Sequence, residues 1–229
     1  MKFIASIKKS EQVRFISHLD VQRDLQRTVR RANIPVAYSQ GFNPHPLISF
    51  ATALSVGQTG NCEWIEIKLA EDMPLKSFVE GMNLNFPTGL MITQAYKAAD
   101  GVPSVATLMK AAVYTAYTDE PIDKELLESA VTEMLSGEIV VTKAKKQGGK
   151  KIDNAEVDLR PMLYEFNAEN SSDNKISVHI RSRLDASGGL NADKLLSALN
   201  EKLGKDIHWI ICRERVEIKD FSYTDEYHI

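Results

Sequence analysis

Arg14–Phe50, RFISHLDVQRDLQRTVRRANIPVAYSQGFNPHPLISF, decides how the rest of the chain is read. Ser17 stands where a helix N-cap belongs. Asp20 follows three residues on, in the place that a capping box gives to Glu or Gln. From His18 to Ala32, the residues Val21, Leu25, Val29 and Ala32 share one stripe at 3.6-residue spacing, which predicts an amphipathic helix. Arg23, Arg27 and Arg30 fall on the opposite face, with Arg31 beside them. Pro35 stops the helix, because it biases Ile34 away from helical angles. Tyr38–Pro46 is rich in Gly, Asn and Pro and reads as a loop. Leu47–Phe50 begins the next strand.

Working outward, Lys2–Ile7 is apolar on both sides and suits a buried strand. KKSEQ is a polar turn, and Val13–Ile16 reads as a hairpin arm or extended lead-in. Cys62–Leu69 alternates, with Cys62, Trp64, Glu66 and Lys68 on one face and Glu63, Ile65, Ile67 and Leu69 on the other. A helix over 74–82 and a strand over 89–96 complete a strand-helix-strand-strand-helix-strand order. After the Ala98–Thr107 boundary the order recurs. Strands are expected over 111–118, 139–144, 175–184 and 207–218, and helices over 123–136 and 191–203. Val157–Phe166 fits either a short helix or an edge strand. The expected fold class is α+β, two tandem ferredoxin-like (βαββαβ) domains with antiparallel sheets, over 1–100 and 108–229.

The chain has 229 residues, 43% hydrophobic and 26% charged, which argues for a folded globular protein. No apolar run approaches the roughly 20 residues of a membrane span. MKFIASIKKS has too short an apolar core for a secretory signal, so a cytoplasmic location is expected. Cys62 and Cys212 have no CxxC company, and two buried, reduced thiols are expected. Net charge is −3, but residues 1–50 carry eight Lys/Arg against three acids, a net +5, which leaves −8 for the remainder. That segregation points to an anionic partner for the first part.

The chemistry-bearing groups concentrate in the same stretch. His18 lies one residue past the cap, at the positive end of a helix dipole, which disfavours the imidazolium and leaves free N–H groups for an anion. His45 is braced between Pro44 and Pro46. No third ligand accompanies the two histidines, so no metal site is expected. Asp20 with Arg23, and Asp24 with Arg27, are i,i+3 pairs suited to an exposed helix. Arg14, Ser17, His18, Arg23, Arg27, Arg30 and Arg31, with Asn43 and His45 of the loop, are therefore the candidate contacts to RNA or phosphate. Tyr38 and Phe42 flank the loop and are candidates for stacking on bases. Lys145, Lys146, Lys150 and Lys151 form a second basic cluster at a glycine-containing tip. GFNPHP has neither P-loop nor dinucleotide spacing.

The run RFISHLDVQRDLQRTVRRANIPVAYSQGFNPHPLISFATALSVG resembles the opening signature of the radical-SAM-linked bacterial family, with looser likeness through VDLRPML and KISVHIR. The resemblance implies an accessory role beside a radical SAM enzyme, with tRNA or rRNA as the substrate class. The chain has no CxxxCxxC. Iron–sulfur cluster, S-adenosylmethionine and, where the enzyme has a cobalamin-binding region, cobalamin are therefore expected only in the partner enzyme. Two rivals stand beside this expectation. One is a metal-independent endoribonuclease with His18 or His45 as general base, and the other is a subunit that only docks on protein.

Overall fold

The computed structural model describes residues 1–147, 150–170 and 176–229, without the side chains of 143–154 and 170. It divides into two compact units, one of Met1–Lys110 with Cys212–Ile229 and one of Ala111–Ile211. Both are α+β with mostly antiparallel strand pairing. Among the described residues no helix is long and apolar enough to cross a membrane.

In the first unit, β1 (Lys2–Lys9) pairs antiparallel with β3 (Thr59–Lys68) on one side and β4 (Leu90–Ala98) on the other. The short β2 (Ile48–Phe50) pairs antiparallel with β3. Helix α1 (His18–Arg31) and helix α2 (Leu75–Asn85) fall at the places that periodicity predicts. Val21, Leu25 and Val29 of α1 and Phe78, Val79 and Met82 of α2 are buried in one core with Phe3, Ala5, Ile7, Ile65 and Ile67. Phe3 and Phe78 meet with ring centroids 5.0 Å apart. Each such large apolar side chain contributes about 1.5–3 kcal/mol when fully buried.

Three features depart from the expected elements. Val13–Ile16 is not a hairpin arm: Glu11–Val13 forms a 3-10 turn that leads straight to the cap of α1. The boundary segment holds the one-turn helix α3 (Val105–Leu108), whose Val105 N–H donates to the buried Glu66 carboxylate at 3.0 Å. A strand unmarked in the sequence, β12 (Tyr223–His228), pairs antiparallel with β4 and extends the sheet.

In the second unit β5 (Met109–Tyr117) pairs antiparallel with β9 (Ile176–Asp185), and β9 with β8 (Leu163–Asn170). Helix α4 (Lys124–Ser136) is capped by Asp123 and helix α5 (Ala192–Leu203) by Asn191. A separate hairpin of β6 (Val140–Gln147) and β7 (Lys150–Asp158) intervenes between α4 and β8. The ambiguous DLRPMLYEF resolves into the end of β7, a 3-10 turn at Arg160–Met162 and β8. Gly188–Gly189, β10, adds a short antiparallel edge to β9.

The last long strand, β11 (Ile210–Ile218), runs past the end of the second unit, and its part from Cys212 onward belongs to the first. There it pairs parallel with β3 at Cys212↔Thr59 and Arg213↔Gly60. The Trp64 indole N–H also donates to Val216 O at 2.8 Å. The first unit is thus closed by the chain's final segment.

A buried charge cluster beneath the start of helix α1

Ser17 caps α1. Its Oγ accepts from the Asp20 N–H at 3.2 Å and donates to Asp20 Oδ2 at 2.7 Å. Those bonds, with Arg23 beyond, hold the Asp20 carboxyl below its usual range. His18, the first helical residue, packs its ring edge-on against Phe50 at 4.8 Å. It lines a cavity of about 20 Å³ with Lys9, Thr52, Leu54 and Glu63, room for about one water.

Beneath it lies a cluster that sequence reasoning missed. Glu63 and Arg213 are both buried. They form a bidentate pair: Arg213 Nε donates to Glu63 Oε1 at 2.8 Å and Nη2 to Oε2, while Nη1 reaches Ala53 O at 3.2 Å. Two parallel N–H···O bonds are the strongest form of this pairing. Lys9, also buried, donates to Arg14 O at 2.9 Å and Gln58 O at 3.2 Å, tying the 3-10 turn to the loop before β3. Gly60 is shaped to this pair: a Cβ there would sit 2.6 Å from Glu63 Oε1. The sequence held one signal. Glu63 sits on the face of β3 that also carries Ile65, Ile67 and Leu69, and an acid on an apolar face needs a partner. Arg213 is 150 residues away, which spacing alone does not reveal.

Burial pushes the His18 imidazole below its ordinary 6.5; the Glu63 carboxylate opposes this, and the Arg213 and Lys9 charges add to it. Burial likewise lowers the Lys9 ammonium, against Glu63 and with Arg213. Near neutral pH His18 is therefore a neutral ring, able to accept or donate one hydrogen bond in a space the size of one water.

The arginine face is largely self-satisfied. Arg23 bridges Asp20 at 2.8 Å and Arg27 bridges Asp24 at 3.2 Å. Arg14 pairs with Glu11 at 3.0 Å and lies over the Phe15 ring at 4.5 Å. Arg31 turns to α2, donating to Asn85 O at 2.6 Å and to Thr28 Oγ1 at 3.2 Å, where it satisfies a helix-terminal carbonyl. Arg30 is exposed and makes no ion pair among the described residues.

The loop is braced at its base. Ser39 N–H donates to His45 O at 2.9 Å, and His45 N–H donates to Ser39 Oγ at 3.1 Å. Ser39 Oγ also lies 2.8 Å from His45 Nδ1, while Tyr38 and Pro46 form an antiparallel bridge. Nε2 is thus the ring nitrogen that Ser39 leaves open. Phe42 is fully exposed, Asn43 is exposed and Tyr38 is nearly half-exposed. The side chains of Lys145, Lys146, Lys150 and Lys151 lie outside the described residues. Among the described residues no three His, Cys, Asp or Glu side chains are grouped to hold a metal. Cys62 and Cys212 are free thiols and half-buried rather than buried as expected, and burial raises both, Cys212 to about 12.

With this geometry in place, residues 2–192 match the model of a family described as "uncharacterized protein conserved in bacteria (DUF2344)". The chain belongs to that family. The match takes in α1, the GFNPHP loop and Glu63, and ends before Arg213. No curated protein matches the chain. Among solved structures, a chain in "Crystal Structure of a Cbf5-Nop10-Gar1 Complex" is similar at 9% identity and a TM-score of 0.52, over 93% of this chain and 48% of that one. The chain thus spans about half the length of that relative, and the likeness is one of fold. A putative glycine cleavage system transcriptional repressor aligns over 93% of this chain and 97% of its own at 12% identity, with a TM-score of 0.24.

Proposed function

We propose that this chain is an accessory, RNA-binding protein that holds a single-stranded or looped RNA on the Arg14–His45 surface for a radical SAM enzyme. Phe42 carries the reading. Its ring buries nothing, so the fold does not require it. It stands on a loop braced by Ser39, His45 and two prolines, so little entropy remains to be lost when a base stacks on it. Arg30 on α1 is the arginine most available to a phosphate. The role beside a radical SAM enzyme rests on the sequence resemblance, and the partner would bring the cluster and cofactors.

The same proposal takes each unit as a ferredoxin-like fold. In support, the first unit contains the run β4-β1-β3-β2, and each of these three pairs is antiparallel. In the second, β9 sits between β5 and β8, as the third strand of that fold would.

One observation favours a protein-docking contribution: Phe15, Leu19 and Val56 are exposed apolar side chains beside the start of α1. The endoribonuclease reading has less support, since the space at His18 admits about one water and not a phosphodiester. RNA affinity tests the proposal. Binding of a fluorescein-labelled single-stranded RNA should weaken about tenfold in Phe42→Ala, the loss of one stacked base. Wild-type affinity in that variant removes the surface from consideration. Cleavage in EDTA that His18→Ala abolishes would instead revive the nuclease.

A further inference from the structure

A second site lies on the face of the first unit's sheet opposite α1 and α2. Register places Trp64, Ser6 and Gln94 side by side across β3, β1 and β4, a large, a small and a medium side chain in one row. Ser6 is fully buried between them, and Trp64 and Gln94 reach the groove beside it. Beside that row Tyr96 gathers other rings: Trp64 at 6.2 Å, Phe221 at 5.5 Å and Tyr223 at 5.0 Å between centroids. These side chains, with Ile218, Lys219 and Asp220, border a groove of about 460 Å³, within the range of small-molecule sites.

Three properties of the groove fix the chemistry of its occupant. First, the rings at its rim are not spent on the core. Tyr223 is about half-exposed, and Tyr96 and Phe221 are half-buried, so they offer faces and edges to a planar group. Second, the Gln94 amide is under-used. Its Oε1 accepts from the Tyr96 hydroxyl at 3.3 Å, while among the described residues Nε2 donates only to the weakly accepting Cys62 sulfur at 3.6 Å. An amide has two donors and an acceptor with two lone pairs, so hydrogen-bonding capacity remains in a half-buried place. Third, the local charges cancel. Lys110, Arg215 and Lys219 are opposed by Glu217, Asp220 and Glu226, and the Tyr223 hydroxyl is engaged with Glu226. A groove without net charge, rich in rings and holding one amide with donor and acceptor capacity to spare, fits a neutral planar heterocycle with donor and acceptor edges.

We infer that this groove is a nucleobase-stacking site, with Tyr96, Phe221 and Tyr223 as the stacking surfaces and Gln94 reading a base edge. The inference does not depend on the Arg14–His45 surface, because every residue it uses lies elsewhere in the unit. A base reaches the groove either on a free nucleoside or on an RNA strand, and two probes separate these sources.

The full-length chain, labelled with nitrogen-15, is titrated with adenosine and separately with a single-stranded decaribonucleotide, following the Trp64 indole N–H. Saturable movement of that signal is expected, with the Trp209 signal still. The adenosine affinity should change less than twofold between 50 and 500 mM salt, because stacking on an uncharged groove releases no counterions. Tyr223→Ala and Gln94→Leu should each weaken it about tenfold, and Tyr223→Phe less than twofold. Movement with adenosine and not with the decamer assigns a free nucleoside; movement with the decamer assigns a strand. The inference is overturned if neither probe moves Trp64, or if Tyr223→Ala, folded by its dispersed spectrum, keeps wild-type affinity. Loss of RNA binding in Phe42→Ala alone would leave the groove reading intact, so the two proposals fail separately.

Discussion

Glu63 is the residue on which the first unit turns. Its carboxylate is buried against Arg213, and removing one partner of such a pair leaves the other charged and unsolvated. Glu63→Gln should therefore lower stability by about 3–5 kcal/mol in urea unfolding followed by tryptophan fluorescence. Gly60→Ala attacks the same pair from the side, because the added methyl meets the carboxylate that Arg213 holds in place. A loss of about 1–3 kcal/mol is expected, the usual cost of overpacking. His18 supplies a pH dependence. Its folded-state pKa is depressed from 6.5, so between the two values the unfolded chain binds more protons and stability rises with pH. The contribution is present above about 6.5 and is lost as pH falls through the folded value. The urea midpoint of wild type should then fall more between pH 8 and pH 5 than that of His18→Asn. Equal falls would show that the ring titrates as it does in water.

At the scale of elements, much was legible because periodicity reports burial. The stripe of Val21, Leu25 and Val29 and the Ser17 cap fixed α1 to within a residue of its ends, and the i,i+3 pairs at Asp20–Arg23 and Asp24–Arg27 form as spacing requires. Arg31 was not legible as a structural residue, since its partner is the carbonyl of Asn85 in another helix. Nor was β12: TDEYH is polar, and its place in the sheet comes from pairing with β4 rather than from any apolar pattern. The candidate surface was readable in α1 and the loop, where local rules act, and unreadable where Lys9, Glu63 and Arg213 meet through long-range packing. The cap offers a check at this scale. Ser17→Ala should cost about 1 kcal/mol, measured as a shift of the urea midpoint, because the Asp20 N–H loses its side-chain acceptor and keeps only the Ser17 carbonyl.

For the whole molecule, the order of the chain and the membership of its units differ. The first unit needs Cys212–Ile229, which supplies Arg213, the acceptor for Trp64 and the strand that covers the edge of β4. A chain ending at Ile211 should accordingly lose protease resistance throughout residues 1–110. Full resistance would mean that the final segment is dispensable. The central claim concerns what the Arg14–His45 surface holds, and salt dependence tests it most directly. Affinity for a single-stranded RNA should fall as salt rises from 50 to 300 mM, each neutralised phosphate adding about 0.7 to the slope of log K against log salt. Arg30→Ala should reduce that slope by about one phosphate's share. A slope of zero, or one that Arg30→Ala leaves unchanged, would contradict the account.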